Sequence, residues 1–200
     1  MKSIVLATGN KGKVKELEKV FDPFGVELIS QNKLNICSAP ETGTTFVENA
    51  IIKSRHAAHN AKMPALADDS GLVVPALKGK PGIYSARFAG EDANDDENID
   101  KLLHDLKKKD DDERDAYFHC ALVFMRSAKD PTPIISQGIW KGRITKKRKG
   151  KDGFGYDPVF WVNEMDCTAA QLDKASKNEI SHRGKAVIAM INKMRTLGVL

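Results

Sequence analysis

Carboxylates and basic clusters are the residues of this sequence whose types and spacing could do chemistry. Asp68 and Asp69 adjoin in the stretch ALADDSGL, and Glu41 sits in a Pro-Glu-Thr-Gly turn. Adjacent residues on an extended chain face opposite ways, so only one of Asp68 and Asp69 can enter a given pocket. Read alone, Asp-Asp-Ser-Gly at the end of a short strand favours a turn whose carboxylates cap their own backbone. A phosphate-type loop elsewhere, together with the second acid at Glu41, shifts the balance towards metal chemistry. Magnesium takes one or two carboxylates plus waters and phosphate oxygens, and Glu41 and Asp69 would supply them.

The phosphate-type loop lies in residues 2–20, KSIVLATGNKGKVKELEKV. Residues 3–7 form a short apolar run led by β-branched Ile4 and Val5, the mark of a buried strand. Thr8, Gly9 and Asn10 are turn formers. From Lys11 the pattern turns helical, with Val14, Leu17 and Phe21 on one face. Unpaired N–H groups at the helix start, with Lys11 and Lys13 beside them, make an anion site, and a phosphate is the natural guest. An ordinary strand–turn–helix with solvated lysines would read the same way. It is not a P-loop, because the glycine spacing differs and Val14 stands where Ser or Thr should hold magnesium. Nor does it carry the three glycines of a dinucleotide fingerprint.

A second cluster is Ser181-His182-Arg183-Gly184 at a helix start, with Lys177 four residues before Ser181. There the side chains and backbone donors can converge on one acceptor. Arginine has only donors, so such a site favours a keto oxygen and penalises an amino group. Phe154 lies between Gly153 and Gly155. It reads either as a core aromatic at a tight turn or as a platform for a flat ligand.

The elements that must position these residues alternate between helix and strand. A second strand is expected at 26–30. Thr45 to Glu48 fits a capping box, opening a helix with Val47, Ala50, Ile51, Ser54, Ala57, Ala58 and Ala61 on one stripe. A short strand at 65–67 would lead into the Asp-Asp-Ser-Gly turn, and 72–74 would resume a strand. Residues 81–87 read as an ordered loop. Asn94 to Glu97 repeats the capping-box pattern ahead of a helix with Ile99, Leu102, Leu103 and Leu106 inward. The longest strand-like runs, 116–125 and 134–140, should form an antiparallel pair, the second continuing through 142–145. Residues 153–158 form a rigid turn ahead of a strand at 159–162. Ser181 reads as the N-cap of the last helix, with Val187, Ile188, Ile191 and Met194 inward. No repeat, low-complexity tract or dividing linker interrupts the 200 residues, so a single α/β domain with two lobes is expected.

At 41% hydrophobic and 30% charged, the composition is that of a folded globular chain. No apolar run reaches membrane-spanning length, and the first residues lead straight into a strand without a signal-peptide core. Cys37, Cys120 and Cys167 are odd in number and lack CxxC spacing, so neither a disulfide framework nor a zinc site is indicated and a reduced cytoplasmic setting fits. A net charge of +5 suits an anionic ligand. The basic run 146–151, KKRKGK, and the acidic run 110–113 read as solvated loops. Without interleaved aromatics to stack bases, the basic run does not indicate nucleic acid.

In this order, the motifs ATGNKGKVKEL (7–17), ETGTTFVENA (41–50), ALADDSGL (65–72), PGIYSARFAG (81–90), GFGYDPVF (153–160) and SHRGKA (181–186) resemble the inosine triphosphate pyrophosphatase family, the house-cleaning dITP/XTP diphosphatases. The resemblance implies a twisted mixed sheet flanked by helices, a deep substrate cleft between two lobes, a homodimer and a magnesium requirement. It implies hydrolysis of ITP, dITP and XTP to the monophosphate and pyrophosphate. Thr8, Gly9, Asn10, Lys11, Gly12 and Lys13 resemble the triphosphate loop, and Lys53 a further phosphate contact. Glu41 and Asp69 resemble the metal ligands, with Asp69 also the catalytic base and Ser70 a substrate contact beside them. Phe154, Gly155, Tyr156, Asp157, Lys177, His182 and Arg183 resemble the nucleoside-binding set. Gln171 departs from the Glu that many relatives carry there, and the run 146–151 is more basic than the family pattern. A nucleotide sensor without turnover would not need a metal-held carboxylate pair beside a phosphate loop. A pyrophosphatase for modified pyrimidines would not need keto-reading donors at residues 182 and 183.

Overall fold

The computed structural model describes residues 2–200, and of Lys2, Lys11, Lys15 and Glu16 the backbone alone. Seven strands form one mixed sheet. They are β1 (Lys2–Leu6), β2 (Val26–Ser30), β3 (Ala65–Val73), β4 (Asp115–Met125), β5 (Ile134–Ile144), β6 (Phe160–Val162) and β7 (Cys167–Thr168), ordered β2-β1-β3-β4-β5-β6-β7. β1 runs parallel to β2 and β3, whereas β6 runs antiparallel to β5 and β7. The helices are α1 (Lys11–Phe21), α2 (Phe46–Ala61), α3 (Asp95–Asp105), α4 (Lys174–Ile180) and α5 (His182–Thr196). No helix among the described residues is long and apolar enough to cross a membrane.

The chain divides into two compact units. The first takes the residues up to Asp69 with Cys120–Gly138 and Ala186–Leu200; the second takes Ser70–His119 and Ile139–Lys185. In the first unit the sheet is buried on both faces, and strand parity sorts its residues. Ile4, Leu6, Leu66, Cys120, Leu122 and Phe124 join α1 residues Leu17 and Phe21 and α5 residues Ala186, Val187, Met190, Ile191 and Met194 in one cluster. Val5, Ala7, Ala65 and Ala67 turn the other way and meet Ala57 and Ala58 of α2, while Ala121, Val123 and Met125 meet Ala50. The second unit has a single cluster, in which Leu72, Val74, Phe118, Trp140, Ile144 and Phe160 meet Ile99, Leu102 and Leu106.

Most of the expected elements are present within a residue or two, and both capping boxes, Thr45/Glu48 and Asn94/Glu97, are formed. Two local expectations differ. β3 runs unbroken through Ala65–Val73, so Asp68 and Asp69 lie inside a strand and not in an Asp-Asp-Ser-Gly turn. Each carboxylate finds a lysine on its own side of the sheet, which removes the need for a turn to satisfy them. On α5 the buried stripe includes Met190, whereas Ile188 is 52% exposed. Ile188 follows Val187 directly and so lies 100° round the helix from it. Residues 81–87, expected as an ordered loop, contain a 3-10 helix over 82–87.

Candidate active site

The first unit assembles a lysine–carboxylate set. Because Asp68 shares the parity of Leu66, it faces the α1 side, and Lys13 Nζ lies 2.7 Å from its Oδ2. Asp69 shares the parity of Ala65 and Ala67 and faces α2, where Lys53 Nζ lies 2.7 Å from its Oδ1. The same ammonium is 2.9 Å from Glu41 Oε1. One half-buried cation therefore bridges Glu41 and Asp69, the pair expected to hold a metal. Two carboxylates gathered by a single positive centre fit a hard divalent cation, with water and phosphate oxygens completing its shell.

Electrostatics raise the proton affinity of both Lys53 and Asp69. Burial opposes the charge on Lys53, but the carboxylates of Asp69, Asp68 and Glu41 outweigh it and hold the ammonium above its ordinary value. Burial pushes the Asp69 carboxyl up, against the pull of Lys53, and Glu41 and Asp68 push it further. A carboxylate raised in this way is a better proton acceptor near neutral pH.

Asn49 is a residue that the pattern of the sequence did not single out. It is fully buried on α2, its Nδ2 donates to Asp69 Oδ2 at 3.4 Å, and its Oδ1 accepts from Gly43 N at 2.8 Å. It thus ties the loop that carries Glu41 to the strand that carries Asp69. A Cβ on Gly43 would come 2.8 Å from Asn49 Oδ1 and 2.6 Å from Glu48 Cβ, so only glycine fits against the helix start. Its place four residues before Lys53, on the same face of the helix, was the available signal.

A cavity of about 170 Å³ adjoins the set, lined among others by Thr8, Gly9, Lys13, Glu41, Lys53 and Asp68. Of the loop residues Thr8, Gly9 and Lys13 line this cavity, and the backbone donors are arranged differently from the expectation. Asn10 caps α1, its Oδ1 accepting from Gly12 N at 2.9 Å and Lys13 N at 3.1 Å, while Asn10 N donates to Thr8 Oγ1 at 3.2 Å. These helix-start N–H groups are already satisfied by the chain's own side chains, as an Asn N-cap does. The cations that line the cavity are Lys13 and Lys53, and the expected role of the Lys11 side chain lies outside the described residues.

The second unit assembles an aromatic–cation set. Phe154 is 54% exposed and so is not a core aromatic. Lys177 Nζ stands 4.8 Å and Arg183 Cζ 5.8 Å from its ring centroid. Lys177 is paired with Asp157, whose Oδ2 also accepts from Phe154 N at 2.8 Å. Gly155 N donates to Asp95 Oδ2 at 2.6 Å, and the Tyr156 hydroxyl donates to Ser85 O at 2.8 Å. Burial, and then Asp95, hold the Tyr156 phenol protonated well above its usual range. Tyr156 and Asp157 thus anchor the loop that displays Phe154. A Cβ on Gly153 would collide with the Asp157 carboxylate, and its φ of +86° is a conformation that glycine takes without strain.

His182 and Arg183 have different neighbours. The His182 ring, 7% exposed, stacks on Phe118 with centroids 4.8 Å apart, whereas the Arg183 guanidinium faces Phe154. Ser181 Oγ accepts from Gly184 N at 3.1 Å, the N-cap bond expected of it. Ser70 is half-buried on β3. Gln171 serves a local purpose, its Oε1 accepting from Thr168 N and Oγ1, both at 3.1 Å.

Known proteins match almost the whole chain. A model of the Ham1 family matches residues 4–193. A dITP/XTP pyrophosphatase of Photobacterium profundum is 56% identical over 187 residues, covering 94% of this chain and 95% of the relative. One of Vibrio parahaemolyticus is 54% identical and covers 97% of each. The solved structure of a HAM1 protein from Coxiella burnetii superposes with a TM-score of 0.94 at 45% identity, covering 98% of this chain and all of that one. A nucleoside-triphosphatase / dITP/XTP pyrophosphatase from Mycobacterium abscessus gives 0.76 at 36% identity, covering 98% and 97%. With nearly every residue from the first strand to the last helix matched, the chain belongs to the Ham1 family.

Proposed function

We propose that this protein hydrolyses the non-canonical purine nucleoside triphosphates ITP, dITP and XTP to the monophosphate and pyrophosphate, acting as one pyrophosphatase domain. The observation that carries the reading is Lys53 bridging Glu41 and Asp69 beside a cavity lined by the β1–α1 loop. Relatives more than half identical along almost the whole chain bear the name dITP/XTP pyrophosphatase.

Lys13 and Lys53 bind the triphosphate as point charges. Glu41 and Asp69 would hold magnesium, which when bound neutralises charge developing on the phosphates. Asp69, with its raised affinity for a proton, accepts one from the water that attacks the α-phosphate. Asn49 keeps Asp69 and the Glu41 loop in register, and Asp68 holds Lys13 in place. The purine falls to the second unit. Phe154 offers its exposed face, Lys177 and Arg183 supply donors, and a 6-keto oxygen satisfies them where the 6-amino group of adenine would not. His182 supports the helix start through its stack on Phe118. The magnesium requirement, a homodimer and a cytoplasmic setting belong to the same proposal.

The test is pyrophosphate release from ITP, XTP, GTP and ATP, with magnesium and with excess chelator. Magnesium-dependent release from ITP and XTP, with ATP and GTP nearly untouched, is expected. Four inert substrates with ITP still bound would make the protein a nucleotide sensor and end the assignment of Asp69.

A further inference from the structure

The second unit also contains a basic pocket of about 340 Å³ that shares no residue with either set described above. We infer that this pocket, floored by Trp161 and walled by Arg114, Arg143 and Lys149, is a separate binding site for a compact oligophosphate anion. The volume lies within the usual range of small-ligand sites.

Arg114 is the built part of the pocket. It is 3% exposed, and its guanidinium donates to Ile144 O at 2.7 Å, Leu106 O at 2.8 Å and Thr145 O at 3.0 Å. All three acceptors are neutral carbonyls. They orient the guanidinium, and among the described residues no carboxylate is bonded to it, Asp111 acting on it through its charge alone. The acidic lining residue is Asp111, and it is taken by Lys146 at 2.8 Å. Arg143 and Lys149 lie over the Trp161 ring, 5.6 and 5.2 Å from its centroid. Neither has a carboxylate within 4.0 Å among the described residues, and neither does Lys147 on the pocket wall.

The chemistry selects the class of ligand. Several cations around one concavity favour a small anion of multiple charge, and an arginine fork matches phosphate oxygens two at a time. Trp161 already has cations over its ring, and no further aromatic lines the pocket, so it lacks the stacking platform of a nucleic-acid groove. Arg148, from the same basic run, is drawn off to α3, 2.9 Å from Asp100 and 3.5 Å from Asp96. The run is thus divided between a surface tether and a pocket wall.

Trp161 provides the readout, since the other tryptophan, Trp140, is 1% exposed within the core of the unit. The full-length protein is titrated with inorganic pyrophosphate in the absence of metal, following tryptophan fluorescence. A saturable change is expected in the wild type and equally in Lys13→Gln, which removes a cation of the first unit's cavity while leaving Asp68 a hydrogen-bond donor. Arg143→Ala/Lys149→Ala should weaken it by about tenfold or more, equivalent to about 1.4 kcal/mol, with ITP hydrolysis unchanged. Trp161→Phe should abolish the signal. Inosine monophosphate in place of pyrophosphate decides between a nucleotide phosphate and the free anion as the source. The inference is overturned if the double variant at 143 and 149 responds like the wild type, or if the signal survives in Trp161→Phe. Sulfate acting equally at matched ionic strength would overturn it too, as would displacement of pyrophosphate by lower concentrations of an RNA oligonucleotide. Loss of the signal in Lys13→Gln would assign pyrophosphate to the first unit and also end it.

Discussion

In the first unit residues 120–125 of β4 are buried without a break, whereas in the second β5 alternates, with Trp140 and Ile144 inside and Ile139, Lys141 and Arg143 outside. Each unit carries its polar groups accordingly. A strand covered on both faces can hold a charged pair only if each member meets a partner on its own side, and Asp68–Lys13 and Asp69–Lys53 are that solution. A sheet covered on one face leaves recognition to its loops and helix starts. There Phe154 stands exposed on a loop braced by Tyr156, Asp157 and Asp95. Rigid strand positions suit chemistry that needs fixed distances, and a braced loop suits a planar guest.

The largest effect bearing on this contrast is expected at Asp69. Asp69→Asn should lower kcat for ITP by about 100-fold or more, the span of a lost general base, while the melting temperature changes little. Asp68→Asn acts on the opposite face and should raise KM more than it lowers kcat. Equal kinetic signatures for the two variants would erase the distinction of faces.

In the second unit, Phe154→Ala should raise KM for ITP by about 10-fold, the worth of one stacked base, without loss of stability because the ring is largely exposed. Arg183→Ala should reduce the ITP/ATP preference, and an unchanged ratio would remove it from base reading.

Asn49→Ala tests whether the first unit's set is positioned as well as paired. It leaves Gly43 N without its buried acceptor and should cost about 1–3 kcal/mol, with kcat falling while KM for ITP holds. A stability loss without a change in kcat would make Asn49 purely structural.

The smallest effect is expected at Asp130, a buried carboxylate with only a structural task in the β4–β5 turn. Burial pushes its carboxyl up, but bonds from Arg126 N, Thr132 N and the Arg126 guanidinium outweigh this and leave it below the ordinary value. A depressed carboxyl stabilises the fold above its unfolded pKa of about 3.9, and the contribution is lost as pH falls through the folded value. Asp130→Asn should therefore cost about 1 kcal/mol at neutral pH, show less acid sensitivity in chemical denaturation and leave turnover intact. A turnover loss there would contradict the assignment of chemistry to Glu41 and Asp69.

Local patterns were enough for much of the architecture. Period-2 and period-3.6 runs marked the main strands and helices, because burial is periodic along a chain. The Thr45/Glu48 and Asn94/Glu97 boxes were readable because a cap is formed by residues three apart. The motifs from residue 7 to residue 186 were sufficient for the family, and Glu41, Asp69, Phe154 and Arg183 could be named as candidates from residue type alone. Partners distant in the chain could not be read this way. Asp-Asp-Ser-Gly has turn chemistry locally, and it is a strand because Lys13 and Lys53, 55 and 16 residues away from their carboxylates, neutralise opposite faces. Ile188 looks as apolar as Met190, and only the direction of α5 against the sheet chose between them. Asn10 looked like a turn residue in a phosphate loop, and it also proved to be the cap that satisfies that loop's own donors. Periodicity and capping act between neighbours and are written in sequence order, whereas charge pairing across a sheet depends on which segments the packed core brings together.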